Sequence, residues 1–158
     1  MKRRNAARRP RETPARRLAR SPRAPRFRLR ATCPSALYDP KAFSHVVEIE
    51  GGRLILISGQ VPVDGQRRLI STEFRSQVEQ VFDNLQAALA SVGAGFSNIV
   101  KTTNYLTDIG QAATFREVRE ARFAQLKSRP ASTTVVVKGL VDPGYLIEIE
   151  AIAALPAR

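Results

Sequence analysis

The chain has 158 residues, enough for one domain with a modest hydrophobic core. Its formal net charge of +12 is typical of a nucleic-acid-binding protein, but the excess lies at one end. Residues 1–31 hold 13 basic side chains and one acidic side chain, whereas residues 32–158 hold 13 of each. The charge therefore belongs to a basic leader, and the neutral remainder predicts no specific nucleic-acid partner.

Residues 1–36 are predicted to form a disordered leader. Residues 1–31 contain four prolines and few large apolar side chains, too little apolar surface to offset the entropy of ordering them. Three interpretations stay open: a solvated tail, such as an upstream in-frame start in a GC-rich gene would add, an organelle transit peptide, or a phosphate-binding arm. A secretory signal is disfavoured because no apolar stretch follows the charged residues.

Cysteine and histidine are scarce, since Cys33 and His45 are the single residues of each type. One cysteine excludes an internal disulfide and fits a reducing compartment, so we expect a cytoplasmic location. The scarcity of both residue types also disfavours a metal site, and we expect no metal and no cofactor. No run approaches the ~20 apolar residues of a transmembrane helix, so no membrane partner is expected.

Two strands open the domain, which we assign to residues 37–158. Glutamates alternate with apolar residues over 45–50, which predicts a strand. Residues 54–58 are apolar on both faces, which predicts a central, covered strand. A further short strand is predicted over residues 67–70, after an Asp-Gly turn.

Two helices and three strands follow. Apolar residues recur at spacings of three and four over residues 73–92, and again over 112–127, which predicts two helices with one buried stripe each. The strands are predicted at residues 99–107, 133–138 and 145–154. This interleaved order predicts an α+β domain in which both helices cover one face of a mixed sheet. The other face also carries apolar residues, and self-association is the usual way to cover such a surface.

The last strand carries two carboxylates on the uncovered face. Alternation directs Ile147 and Ile149 to the core and Glu148 and Glu150 to the opposite face, about 7 Å apart. A solvated strand face is the simpler interpretation. Because apolar residues bracket the pair, a partly buried face is the alternative, and there a carboxyl pKa rises and the group exchanges protons near neutral pH.

Two strand ends are further candidates for ligand contacts. The apolar strand at 54–58 runs into Gly59, where the absence of a side chain lets a ligand approach the backbone amides. The segment 130–134 begins another strand and offers hydroxyls and amides to a carboxylate-bearing ligand. Each segment is also an ordinary strand end when taken alone.

Together these segments resemble the RidA (YjgF) family in order and spacing from about residue 43 to residue 154. The resemblance is carried by Ser58-Gly59-Gln60-Val61-Pro62, the helix over 77–89, Ile99-Val100-Lys101-Thr102-Thr103-Asn104-Tyr105-Leu106-Thr107-Asp108, Arg129-Pro130-Ala131-Ser132-Thr133-Thr134-Val135 and Ile147-Glu148-Ile149-Glu150-Ala151-Ile152-Ala153. It implies a chorismate-mutase-like α+β fold and a homotrimer whose sheets form a barrel, with clefts between neighbours. The best-known members hydrolyse reactive enamines and imines to a keto acid and ammonia, without metal or cofactor.

The resemblance also implies roles for single residues. Glu148 matches a glutamate that orients or activates water, and Ser58 and Gly59 match residues that line the cleft. Ser132 stands where the deaminating members have an arginine that binds the substrate carboxylate. Losing that charge-assisted contact costs about 2–3 kcal/mol, so we expect a substrate other than the usual 2-imino acid.

Three more positions complete the expected site. Thr134 is expected to contact the substrate beside Ser132. His45 stands where the deaminating members commonly have a tyrosine, and Arg116 where they commonly have an asparagine. Arg116 either supplies a replacement charge or is an exposed helix residue.

The predicted function is hydrolysis of a small enamine or imine metabolite in an intersubunit cleft. The alternative is a non-catalytic trimer of the same fold that binds or senses a small molecule. RNA binding or cleavage, a third hypothesis, is disfavoured by the neutral domain.

Overall fold

A computed structural model describes residues 26–157, so the prediction of disorder for residues 1–25 lies outside the described part. The elements in chain order are β1 (Arg28–Thr32), β2 (Val46–Glu50), β3 (Arg53–Gln60), α1 (Phe74–Ala90), β4 (Ile99–Leu106), α2 (Ala112–Arg122), β5 (Ala131–Val136) and β6 (Ile147–Leu155). Single turns of 3-10 helix precede β4 and α2. In this part of the chain, no helix combines the length and apolar character needed to cross a membrane.

The main sheet has four strands in the order β3-β6-β4-β5. Strand β6 is antiparallel to both of its neighbours, whereas β4 and β5 are parallel. A parallel pair needs a crossover connection, and α2 provides it between β4 and β5. The mixed α+β architecture predicted from the element order is confirmed.

Both helices pack on one face of this sheet. The stripe of α1 and the inward face of β6 are fully buried together, and Phe115 of α2 joins the same core. The buried residues of β6 include Ile147, Ile149, Ala151 and Ala153, the set that alternation directs inward. A strand with this register must present Glu148 and Glu150 to the face that carries no helix.

The uncovered face is apolar at the sheet edge. Strand β3 is an edge strand, with Leu54 57% and Leu56 78% exposed, so the prediction of a central, covered strand is wrong for the single chain. Its inward residue Ile57 is buried, as expected. Strand β3 is apolar on both faces, but among the described residues only its inward face is covered.

Strand β1 lies within the stretch that was assigned to the leader. Residues 28–32 pair antiparallel with β2, so an ordered element precedes residue 37. The register places Arg28 opposite Glu50 and Arg30 opposite Glu48. Opposite charges directly across a strand pair are stabilising. Two of the arginines counted in the basic excess therefore face acidic residues of the domain.

The predicted strand at residues 67–70 does not form. The structure has only an isolated bridge between Val63 and Leu69 in this segment. Asp64 instead organises a turn, in which its carboxylate accepts hydrogen bonds from the backbone N–H groups of Gln66 and Arg68. An aspartate that bonds to backbone groups two residues on competes with strand pairing.

A buried glutamine fixes the start of β6. Gln77 of α1 is fully buried, and its side-chain amide donates to the carbonyls of Ser71 and Gly144, both at 2.9 Å. Its carbonyl accepts the backbone N–H of Leu146 at 2.8 Å. These bonds satisfy a costly buried amide and fix Leu146, the residue that immediately precedes β6 and lies two residues before Glu148.

Candidate functional site

Glu148 lies against the backbone of β3. The register between β3 and β6 shifts between Ile57 and Gln60, so that two residues of β3, Ser58 and Gly59, stand opposite one residue of β6. Such a bulge redirects the strand locally. A Cβ atom at Gly59 would lie 1.8 Å from the Glu148 Oε1 atom, so the carboxylate occupies the space that any other residue would fill.

The surroundings of Glu148 favour its protonated form. The side chain is half-buried on the uncovered face, and this loss of water raises the pKa of Glu148. The neighbouring carboxylate of Glu150 raises the pKa of Glu148 further, because two like charges disfavour each other. Of the two interpretations of this face, the partly buried one is correct for Glu148 and the solvated one for Glu150, which is exposed.

A cleft of about 460 Å³ lies on the uncovered face, and Ser58 and Glu150 are among its lining residues, whereas Glu148 is not. Strand β4 contributes polar groups to this face. Tyr105 donates a hydrogen bond from its hydroxyl to Glu150 Oε1 at 3.2 Å, and burial raises the pKa of Tyr105. Lys101 also lines the cleft and donates to the Thr133 hydroxyl, and burial lowers the pKa of Lys101. We call this group, centred on Ser58, Gly59 and Glu148, the carboxylate half-site.

Ser132 and Thr134 lie on the opposite face of the sheet, towards α2. Their register partners are Thr102 and Asn104, which are both 1% exposed beneath the helices. The Asn104 amide donates to the hydroxyls of Ser132 and Thr134, each at 3.1 Å, and to the carbonyl of Thr133 at 2.8 Å. This network holds the start of β5 in one conformation.

Arg119 of α2 reaches this network. It is only 7% exposed, and its Nη1 donates to Ser132 Oγ at 3.4 Å. Its guanidinium carbon lies 5.2 Å from the centre of the Phe115 ring, a cation–π arrangement. Burial lowers the pKa of Arg119, although a guanidinium stays charged in proteins.

A second cleft, of about 410 Å³, lies between α2, β5 and the segment 40–43. Arg116, Arg119, Phe115, Phe43 and Thr134 are among its lining residues. Arg116 is exposed to solvent and also lines this cleft, so its position does not decide between the two interpretations of Arg116. We call this group, with Ser132, the arginine half-site.

His45 borders the arginine half-site without lining its cleft. Its Nε2 is hydrogen bonded to the carbonyl of Tyr38 at 2.8 Å, and its ring packs edge-on against Phe43. The preceding residue, Ser44, bridges to Ala131 in a parallel arrangement and donates its hydroxyl to the Arg129 carbonyl. These contacts place the segment beside β5 and direct Phe43, rather than His45, into the cleft.

One chain does not bring all of the candidate residues together. The carboxylate half-site lies on the uncovered face, whereas the arginine half-site lies on the helix face of the same sheet. Within residues 26–157, no group of three His, Cys, Asp and Glu side chains could hold a metal ion. The chemistry available is thus a half-buried carboxylate on one side and a pair of guanidinium groups on the other.

The chain is similar in sequence to known proteins. Residues 33–155 match the family model described as "Endoribonuclease L-PSP". Protein DfrA of Myxococcus xanthus is 37% identical over 118 residues, which cover 72% of this chain and 88% of that protein. A 2-iminobutanoate/2-iminopropanoate deaminase of Escherichia coli K12 is 30% identical over 109 residues, covering 69% of this chain and 85% of the deaminase.

The solved structures point to the same class. The Rid-family protein YyfB of Yersinia pestis, described as of unknown function, superposes with a TM-score of 0.76 at 30% identity, covering 80% of this chain and 98% of that protein. The chain thus has the L-PSP type of α+β fold. It belongs to the RidA (YjgF) family, and both the family and the chorismate-mutase-like fold predicted from its sequence are confirmed.

Proposed function

We propose that this protein hydrolyses a small, reactive imine or enamine, with Glu148 as the residue that activates water. The observation that carries the proposal is the placement of the Glu148 carboxylate against the Gly59 backbone, half-buried and with a raised pKa. A carboxyl group with its pKa moved towards neutrality can both accept and return a proton. A relative named as an imine deaminase supports the same reaction class.

The proposed reaction adds water to the carbon of the C=N bond. As the C–O bond forms, the water gives a proton to Glu148, and Glu148 returns this proton to the nitrogen, which becomes an amine. In the collapse of this carbinolamine, Glu148 moves the hydroxyl proton to the amine nitrogen. The C–N bond then breaks and ammonia is released, leaving a carbonyl product. An enamine joins the same route after protonation at carbon. Water and a carboxylate are sufficient for these steps, so the proposed reaction uses neither metal nor cofactor.

The two half-sites meet, in this proposal, between neighbouring copies of the chain in a homotrimer. Two observations support it: the exposed leucines of β3 leave an apolar face that a second copy would cover, and the candidate residues lie on opposite faces of one sheet. The arginine half-site of one copy, with Ser132, Thr134, Arg116 and the adjacent His45, would then face Glu148, Ser58 and Gly59 of the next.

Turnover tests this function directly. The purified full chain is incubated with imines and enamines generated in place from amino acids, and ammonia release is compared with the spontaneous rate. We expect acceleration for at least one small substrate. Release at the spontaneous rate for every candidate would remove the support for an enzyme.

Gly59→Ala is expected to lower kcat/KM for that substrate by about tenfold to a hundredfold, because the new methyl group displaces the carboxylate of Glu148 by about 1 Å or more. The clash is with a flexible side chain, so the free energy of unfolding should change by less than about 1 kcal/mol. Steady-state kinetics and urea unfolding of both proteins measure the two effects. Unchanged kinetics in Gly59→Ala would show that the position of this carboxylate does not matter.

A second candidate function is a binding trimer without catalysis. It is favoured by Ser132, which stands where the deaminating members have an arginine. Thermal shifts with small keto acids and amines, run beside the turnover assay, separate the two functions. Binding without turnover would select the second.

RNA cleavage, the activity in the description of the family model, is not proposed for this chain. Residues 32–158 carry 13 basic and 13 acidic side chains, which offer no net attraction to a phosphate backbone.

A further inference from the structure

Arg119 is a buried cation without an acidic partner among the described residues. The ion pairs of this part of the chain engage other cations, such as Arg75 with Glu117 and Arg122 with Asp83. Burial is the main cause that lowers the pKa of Arg119; of the neighbouring charges, Glu120 raises this pKa, whereas Arg116 and Arg129 lower it. A buried charge of this kind is costly to leave unpaired, so an anion in its vicinity is strongly favoured.

The guanidinium also has unused hydrogen-bonding capacity. Arginine carries five N–H donors, and within residues 26–157 the long bond to Ser132 Oγ is the side-chain bond that Arg119 makes. Its Nε is buried and has no hydrogen-bond partner in this part of the chain. Buried donors are almost always satisfied, and one that is not calls for an absent partner.

The donors lie beside an open space. Arg119 and Arg116 are three residues apart on α2, a spacing that places both on one side of the helix, and both line the 410 Å³ cleft. Thr134 adds a hydroxyl, and Phe115 lies beneath the guanidinium. A flat, forked donor against an aromatic ring is the arrangement that binds a carboxylate through two parallel hydrogen bonds.

We propose that this cleft binds the carboxylate of a small organic acid through Arg119, with Arg116 as the second cation at its mouth. This inference rests on the proposed function and deepens it, because it names the group that holds the anionic end of the substrate. Ser132 then acts as a support for the Arg119 guanidinium. The substrate class becomes a small 2-imino or 2-enamino acid, in contrast to the expectation drawn from Ser132 alone.

Calorimetry on the full chain tests the inference, with 2-oxobutanoate as the acid probe and methyl 2-oxobutanoate as its uncharged counterpart. We expect wild-type protein to prefer the acid over the ester by about tenfold or more, the gain of a charge-assisted contact. Arg119→Gln should weaken acid binding by about tenfold to a hundredfold and leave ester binding unchanged. Arg119→Lys should fall between the two, since it keeps the charge but not the fork.

Arg122→Gln is the matched control, because it removes the same charge from the same helix outside the cleft. It should bind the acid as wild-type protein does. Equal binding of acid and ester by wild-type protein would overturn the inference even if Arg119→Gln failed to fold. Undiminished acid binding by a folded Arg119→Gln protein would overturn it as well.

The outcomes separate the inference from the proposed function. Acid binding that depends on Arg119, without ammonia release from any imine, would support the carboxylate-binding cleft and contradict the proposed hydrolase function. Hydrolysis of the imine of 2-oxobutanoate with unchanged KM in Arg119→Gln would uphold the enzyme and reject the cleft as its carboxylate site.

Discussion

Glu148→Gln is expected to lower kcat/KM for imine hydrolysis by about 10² to 10⁴-fold, the usual contribution of a positioned acid–base group. Glutamine keeps the size and polarity of the side chain but cannot accept the proton of an attacking water. Because the water must lose that proton as the C–O bond forms, the loss should appear in kcat more than in KM. Ammonia release by both proteins, measured over a range of substrate concentrations, gives the two constants.

Glu150→Gln is the matched control for this variant. It removes the same charge from the same face of β6, two residues away, but from an exposed position whose hydrogen bond is to Tyr105. Glutamine can still accept that bond, so kcat at high pH should stay within about threefold of wild-type protein. If Glu150→Gln is as inactive as Glu148→Gln, the catalytic assignment within the pair is wrong.

The pH dependence of the Glu150→Gln control is an independent test of Glu148 as the base. Activity should rise with pH as Glu148 ionises, since only its charged form accepts a proton from water. The charge of Glu150 raises the pKa of Glu148, so Glu150→Gln should move this rise to lower pH. Lys101, which lines the 460 Å³ cleft, and Tyr105, which is hydrogen bonded to Glu150, are unchanged in both proteins. A profile that does not move, or that moves to higher pH, would contradict the role of Glu148 as a base.

Most of the fold can be predicted from the sequence because its apolar residues recur at regular spacings over long segments. The helix at Phe74–Ala90 and the alternation of β6 follow from the spacing of their apolar residues. The sequence does not predict strand β1, because this strand lies in a stretch rich in arginine and proline, where composition favours disorder. Its stability comes from partners in β2, and pairing over a distance in sequence leaves no local signal.

The site was harder to predict than the fold. Glu148 and Gly59 could be named individually, but their contact depends on a bulge between β3 and β6 that no local pattern announces. Arg119 is not among the site residues predicted from the sequence, although one signal points to it: it follows Phe115 by four residues and therefore lies on the buried stripe of α2. A charged residue at a core position is unusual enough to mark a candidate site.

The position of Arg119 changes the meaning of Ser132. A small side chain at this position leaves room for a guanidinium delivered from α2, whose Nη1 lies 3.4 Å from Ser132 Oγ. Reading Ser132 alone suggests that the site has lost its cation. In the structure, the guanidinium of Arg119 on α2 lies beside Ser132 of β5 instead.

Mixing two impaired variants is expected to restore activity, measured at a substrate concentration well below KM, if the half-sites meet between subunits. Glu148→Gln damages the carboxylate half-site and Arg119→Gln damages the arginine half-site. In randomly mixed trimers, one cleft in four combines an intact half from each variant, so about a quarter of wild-type activity should return. The two proteins are unfolded together, refolded together and assayed for ammonia release, and light scattering on the product should give the mass of three chains.

The control mixture combines Glu148→Gln with Gly59→Ala. Both changes lie in the carboxylate half-site, so every mixed cleft inherits one of the two lesions and activity should stay at the level of the separate variants. Recovery of activity in this control would mean that Glu148 and Gly59 of one cleft do not come from the same chain. If the activity of the first mixture does not exceed that of the separate variants, or if the protein scatters light as a monomer, Glu148 and Arg119 do not act in one cleft. The strand face that exposes Leu56 would then need another explanation.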